Sequence, residues 1–338
     1  MIVEEHISLS PLTTLGVGGE ARFFTEVQSV EEVIEALAFA RAKSLPVFVL
    51  GGGSNLLVSD NGVHGVVLKM TMCDIHFEND GDDILLTAGA GAHWDDIVDA
   101  VGARGIFGIE NLAGIPGTAG GAVVQNIGAY GAELANVFEY ADIINSATGE
   151  NIRVTLSEAE FAYRNSFFKR HREFVITRVA LRLTQSTVAN ISYPDLVRAR
   201  DSGVPLATPV EIARAVRNIR SEKFPKITEE GTAGSFFKNP IIPRELADSL
   251  AERFSGLPIF TEDDGMVKIS LAWLLDKVLS LKGFSVGGAR LYEKQPLVIV
   301  TRAGATAREV DLLAREVSEK VFNKTGIRIE REVETFGE

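Results

Sequence analysis

Residues 108–131 read Gly-Ile-Glu-Asn-Leu-Ala-Gly-Ile-Pro-Gly-Thr-Ala-Gly-Gly-Ala-Val-Val-Gln-Asn-Ile-Gly-Ala-Tyr-Gly, with glycine at 114, 117, 120, 121, 128 and 131. Glycine at this density removes side-chain packing and raises the entropy cost of ordering, which argues against a well-filled amphipathic helix. What it offers is main-chain N–H groups that can approach an anion closely. Pro116 fixes one turn, and Thr118, Gln125 and Asn126 add neutral hydrogen-bonding groups. The stretch reads as a cradle for an anionic cofactor, with a glycine-rich surface loop as the plain alternative.

Upstream, Gly51-Gly52-Gly53-Ser54-Asn55 follows the apolar run Val47-Phe48-Val49-Leu50, giving strand, glycine turn and further apolar residues. Two such segments favour the cradle. Neither is a familiar nucleotide signature. No Gly-Lys-Ser/Thr follows, and neither Gly51-x-Gly53 nor Gly89-x-Gly91 meets the third glycine of the dinucleotide fingerprint. A P-loop ATPase and a Rossmann dehydrogenase both lose ground.

The bulk properties bound the rest. A chain of 338 residues suggests two or three domains, and 46% hydrophobic with 24% charged residues is a globular composition. No apolar run reaches spanning length, and Met1-Ile-Val-Glu-Glu-His lacks the look of a signal peptide, so no membrane partner and a cytoplasmic location are expected. The single cysteine, Cys73, excludes an intrachain disulfide and is expected to be a small buried residue. Five scattered histidines give no metal-ligand spacing, so no metal is expected. A net charge of −12 argues against a nucleic-acid partner, and any anionic ligand then needs cations concentrated locally.

Along the chain, Ser29 to Glu32 forms a capping box that opens a helix between two short strands. From Cys73 the pattern turns to antiparallel strands with a short helix from Trp94 to Ala103, and a second strand block spans 140–183. The segment from Thr184 to Pro209 reads as loop. Thr208-Pro209-Val210-Glu211 then opens a helix in which Arg214, Arg217 and Arg220 recur every third residue, with Lys223 and Lys226 beyond. That stripe is either the local cation source or a solvated face. Helices at 243–254, 270–281 and after the box Thr306–Glu309, with strands 296–300 and 327–329, make a further α+β domain.

Five motifs now stand in order: Gly-Gly-Gly-Ser-Asn-Leu-Leu-Val at 51–58, Ile-Glu-Asn-Leu-Ala-Gly-Ile-Pro-Gly-Thr at 109–118, Gln-Asn-Ile-Gly-Ala-Tyr-Gly at 125–131, Tyr-Arg-Asn-Ser-Phe-Phe-Lys at 163–169 and Gly-Ser-Phe-Phe-Lys-Asn-Pro at 234–240. Together they resemble the UDP-N-acetylenolpyruvoylglucosamine reductase family, flavoenzymes that complete UDP-N-acetylmuramate for peptidoglycan. The resemblance implies an α+β fold: a two-lobed FAD-binding domain of the PCMH/vanillyl-alcohol-oxidase type plus a separate α+β substrate-binding domain. It implies lobes at 1–70 and 71–199, a substrate domain at 200–325 and a C-terminal segment, 326–338, returning to the active site. Noncovalent FAD, NADPH as hydride donor, UDP-N-acetylglucosamine enolpyruvate as substrate and a monomeric state are expected.

The site residues follow from the same match. FAD is expected to meet Gly51, Gly52, Gly53, Ser54, Asn55, Leu56, Ile115, Pro116, Gly117, Thr118, Gly120, Gln125, Asn126, Gly128, Ala129 and Tyr130. Hydride delivery to the β-carbon of an enolpyruvyl ether leaves an enediolate, which needs a charge stabiliser and an acid for the α-carbon. Arg164 suits the first task, because a guanidinium meets a carboxylate bidentately; a structural ion pair is the alternative. The resemblance makes Ser235 the proton donor, where its Gly-Ser context would otherwise read as a turn. It matches Glu332 to a C-terminal catalytic glutamate, with Glu330 as rival. Tyr163, Tyr193, Arg220, Lys223, Asn239 and Gln295 are implied substrate contacts, and Tyr193, as a lid residue, places the chain in the longer-looped class. A same-fold FAD oxidase or dehydrogenase with another substrate, or a non-catalytic nucleotide-sugar binder, are the rival functions.

Overall fold

A computed structural model describes residues 1–184, 188–262 and 264–337. Part of the expected Thr184–Pro209 loop, residues 185–187, lies outside the described residues, as does the last residue of the expected C-terminal segment. The chain divides into two compact units: residues 1–7, 21–53 and 63–221 form one, and 8–20, 54–62 and 222–338 the other. This partition cuts across the blocks expected from sequence. Two short early stretches belong with the C-terminal part, and the helix Pro209–Lys223 falls within the first unit as far as Ser221. The reason is packing: Ile212, Ala213, Ala215 and Val216 join the core built by the N-terminal strands.

The first unit holds two large sheets besides a short hairpin. One is four-stranded, in the order Glu4–Ser8, Glu20–Val27, Val63–Met70, Val47–Leu50, with parallel pairing of the last three. Helix Val30–Ala42 supplies the crossover, capped by Ser29, whose side chain accepts from the Glu32 N–H, and buries Val33, Ala36, Leu37 and Ala40. The other sheet is five-stranded and antiparallel, in the order Asn151–Thr155, Phe138–Asn145, Phe174–Thr184, Asp83–Gly89, Ile75–Asp80. Alternating buried residues such as Ile84, Leu86 and Ala88 put one face of it into the same core as Trp94, Ile97 and Val101 of helix Trp94–Gly102.

The second unit has its own core, from Leu15 and Val17 to Val333. Its main sheet runs Gly231–Ser235, Val298–Thr301, Ala289–Leu291, Ser285–Val286. Helix Ala307–Thr325 lays Val310, Leu313, Val317 and Val321 on that core, opens with a complete capping box between Thr306 and Glu309, and ends at a left-handed Gly326. Asp60 adds to the same N-terminus, accepting from the N–H groups of Ala307 and Arg308 at 2.8 and 2.9 Å.

Several expectations change. Residues 119–125 do form a helix, and Ala119, Gly120, Ala122 and Val123 within it are buried. Its glycine serves close packing, since a Cβ on Gly120 would stand 3.1 Å from the Ala90 Cβ. The expected loop contains a helix, Pro194–Asp201, announced by proline at its first position. The expected strand 327–329 is irregular; the last strand is Glu334–Phe336, paired in parallel with Leu56–Val58. The helix expected at 270–281 is α-helical only over Leu271–Trp273 and continues as a π-helical turn, Leu274–Val278. Cys73 is exposed, because it lies in the connection between strands Val63–Met70 and Ile75–Asp80 rather than in either sheet.

Candidate active site

In the first unit the two glycine segments meet. A Cβ on Gly52 would lie 2.7 Å from the Gly117 Cα, and one on Gly51 would lie 2.6 Å from Thr118 Oγ1. Only glycine lets these backbones approach so closely. Thr118 Oγ1 is buried and has no hydrogen-bond partner among the described residues. An orphaned hydroxyl beside two abutting glycine turns is a feature that a bound polar group completes, so the residues present fit a nucleotide cofactor at this point.

The rest of the cradle is fixed by its neighbours. Helix Ala119–Gln125 ends at Asn126, left-handed with φ 40°, whose side chain donates to the Ala162 carbonyl at 3.2 Å and accepts from the Ala135 N–H at 3.1 Å. Gly128–Ala129 and Ala132–Glu133 then form a two-stranded hairpin. Its two turn residues, Tyr130 and Gly131, have φ 49° and 83°, the signs of a type I′ turn. Glycine takes that geometry freely. Tyrosine does so under strain, which is found where function demands it. The Tyr130 ring is buried, packs edge-on to Tyr193 at 5.2 Å, and its burial pushes the phenol up to about 12. Arg220 hydrogen-bonds to it.

Arg164 is anchored onto this cradle. Its guanidinium donates to the Gly128 carbonyl at 2.9 Å and the Asn126 carbonyl at 3.4 Å, and its own backbone is left-handed at φ 52°. The guanidinium is thus fastened to main-chain carbonyls of the cradle. Tyr163 lies beside it, 5.6 Å from ring centre to guanidinium. Lys169 donates to Gln125 Oε1 at 2.8 Å and to the Arg164 carbonyl at 3.3 Å.

The basic helix splits its stripe by task. Arg217 is bidentate to Asp95 at 2.9 and 2.9 Å and reaches Asp99 at 2.6 Å, while Lys226 pairs with Glu229 at 3.0 Å. Arg220 turns inward and donates to the Gly114 carbonyl at 2.9 Å; burial lowers its pKa, and Arg164 is among the charges it feels. Two guanidiniums of like sign held this near one another favour an anion between or beside them. Lys223 closes the helix.

In the second unit Ser235 ends the strand Gly231–Ser235 opposite Val298, and the fully buried rings of Phe236 and Phe237 follow. The C-terminal segment comes back to this point. The Glu332 N–H donates to the Phe236 carbonyl at 2.8 Å, and Phe237 bridges Arg331. Asn55 Nδ2 donates to the Glu332 carbonyl at 3.1 Å, and the Asn55 carbonyl accepts from Glu334 at 3.1 Å. The chain at Glu332 is thus placed against Phe236, the residue after Ser235. The rival Glu330 has a side chain 75% exposed and paired with Lys238 at 2.9 Å. Asn239 Oδ1 accepts from the Leu271 N–H at 3.0 Å, and Gln295 accepts through its carbonyl from Val298 at 2.9 Å.

Sequence reasoning missed several residues here. Asp95 holds both Arg217 and the Gly114 N–H, the latter at 2.7 Å. Asn111 is buried and donates to the carbonyls of Tyr130 and Asn190 at 2.8 and 2.7 Å. Glu110 accepts from the Gly108 N–H at 2.6 Å, and burial pushes its carboxyl up. The signal for Asp95 was available in the helix-start acids; for the other two, only burial shows the role.

The fold and the glycine cradle define an FAD-dependent oxidoreductase, and comparison with known proteins agrees. Residues 21–155 match the family described as FAD binding domain, and residues 226–336 match the UDP-N-acetylenolpyruvoylglucosamine reductase, C-terminal domain. The UDP-N-acetylenolpyruvoylglucosamine reductase of Pseudomonas putida is 37% identical over 332 residues, covering 97% of each chain. That of Escherichia coli K12 is 36% identical, covering 98% of this chain and 96% of its own. Among solved structures, the UDP-N-acetylenolpyruvylglucosamine reductase of Thermus caldophilus superposes with a TM-score of 0.69 at 28% identity, covering 99% of both chains. The chain belongs to the UDP-N-acetylenolpyruvoylglucosamine reductase family. No described helix is long and apolar enough to cross a membrane.

Proposed function

We propose that the chain reduces UDP-N-acetylglucosamine enolpyruvate to UDP-N-acetylmuramate with NADPH as electron donor, as a cytoplasmic monomer with no nucleic-acid or membrane partner. When bound, FAD supplies the two-electron store that takes a hydride from NADPH and passes it to the enolpyruvyl β-carbon. Arg164 binds the substrate carboxylate and stabilises the enediolate charge that develops on it. The Ser235 hydroxyl gives its proton to the α-carbon and is reprotonated from solvent, which completes addition of one hydride and one proton across the C=C bond. Glu332 contributes a carboxyl at the same carboxylate. Tyr163, Tyr193, Arg220, Lys223, Asn239 and Gln295 bind the nucleotide sugar, and the segments 51–56 and 115–130 hold the flavin. Residues 1–70 and 71–199 serve as flavin lobes, 200–325 as the substrate domain and 326–338 as the returning segment.

The observation that carries this reading is the Glu332 N–H bond to the Phe236 carbonyl, which sets a C-terminal glutamate beside the strand end bearing Ser235. Anaerobic absorbance tests it. NADPH should bleach the flavin band, and UDP-N-acetylglucosamine enolpyruvate, but not the saturated product, should restore it rapidly. Bleaching without restoration by that substrate would point instead to an oxidase or dehydrogenase of the same fold.

A further inference from the structure

Lys69 belongs to none of the residues assigned above. It stands on strand Val63–Met70 opposite Leu50 of the parallel strand Val47–Leu50, so it flanks the turn into which that strand opens. Its ammonium donates to the Gly51 carbonyl. Among the described residues no carboxylate stands at ion-pair distance from it; Glu26, its partner on the neighbouring strand, is felt only as a more distant charge. Burial holds the amine below the usual lysine range. An ammonium has three donors, and a half-buried charge with one neutral carbonyl for company is incompletely compensated.

A second, independent feature lies at the same turn. Thr118 is 3% exposed; its hydroxyl has no hydrogen-bond partner among the described residues, does not cap the helix that follows it, and sits where a Gly51 Cβ would come within 2.6 Å. A cation with unused donors and an orphaned hydroxyl therefore flank one glycine. Phosphate oxygens are the ligand that suits both, since they accept from hydroxyl and ammonium alike and bring the missing negative charge.

We propose that Lys69 and Thr118 bind the phosphate oxygens of the flavin nucleotide at the Gly51 turn, with Lys69 supplying the charge that the glycine backbone lacks. This rests on the flavin assignment, and wild-type FAD binding in the same experiment checks that assignment separately. The full-length, FAD-loaded protein is diluted at low and high salt, and released flavin is followed by fluorescence to give the FAD Kd. Lys69→Met should raise Kd about tenfold or more, with a shallower salt dependence, and Thr118→Val about threefold, whereas Lys69→Arg should stay within about threefold of wild type. Far-UV circular dichroism should be unchanged in all three. A Lys69→Met Kd within about twofold of wild type would overturn the proposal. So would equal losses in Lys69→Met and Lys69→Arg, or a rise in KM for the UDP-linked substrate at unchanged FAD affinity, which would assign the cation to the other diphosphate.

Discussion

Arg164 and Glu332, the two charged candidates for chemistry, are held in opposite ways. Arg164 is held by its side chain, which spends donors on the Asn126 and Gly128 carbonyls and rides on a left-handed backbone. Glu332 is held by its main chain, through the Phe236 carbonyl on one side and Asn55 on the other. Substitutions at the two residues therefore perturb different things. A change at Arg164 disturbs the cradle as well as the charge, while a side-chain change at Glu332 leaves its main-chain bonds to Phe236 and Asn55 in place.

The largest effect is expected at the side-chain-held residue. Arg164→Met should lower kcat about 10²–10³-fold and also weaken FAD binding, because the Gly128 carbonyl loses its donor. Steady-state rates and flavin release measured together check this; a pure rate effect with unchanged flavin affinity would break the contrast. Glu332→Gln should cost about 10²-fold in kcat with the melting temperature unmoved. A fall in stability there would show that the carboxyl, and not the main chain, carries the placement.

Tyr130 belongs to the side-chain-held class through Arg220, and its linkage can be read by pH. Its folded pKa of about 12 lies above an unfolded value of about 10, so between these limits the native state binds more protons than the unfolded one. Its contribution is fully present below the unfolded pKa and is lost as pH rises through the folded one. That loss is on the order of 2 kcal/mol, and it should vanish in Tyr130→Phe; denaturant unfolding from neutral to alkaline pH measures it. The smallest effect is expected at the main-chain clasp: Asn55→Ala should cost about 1 kcal/mol and speed hydrogen exchange of the Glu332 and Glu334 amides. Exchange as slow as wild type would mean that the pairing of Glu334–Phe336 with Leu56–Val58 holds the segment unaided.

Much of this was legible in the chain. The capping boxes at Thr208 and Thr306, the parallel start with its glycine turn and the alternating strands of the second block are local patterns, and local patterns follow from side-chain chemistry at short range. The motifs that carry the family were legible for the same reason. The errors fell where distant packing overrides local preference. Glycine 120 suggested loop but fits a helix because Ala90 needs the space, and residues 327–329 looked like strand though the partner of the returning chain is Leu56–Val58, taken further on.

Residue type and spacing alone carried the family and the two glycine segments, and they supplied Arg164, Ser235 and Glu332 as candidates. Folding set the Glu332 N–H on the Phe236 carbonyl while the Glu330 side chain pairs with Lys238, consumed Arg217 with Asp95 while Arg220 turns inward, and put Lys69 and Thr118 at one turn. Charge and hydrogen-bonding capacity are written in the chain, but whether a group is already satisfied depends on neighbours that folding brings from far away in sequence.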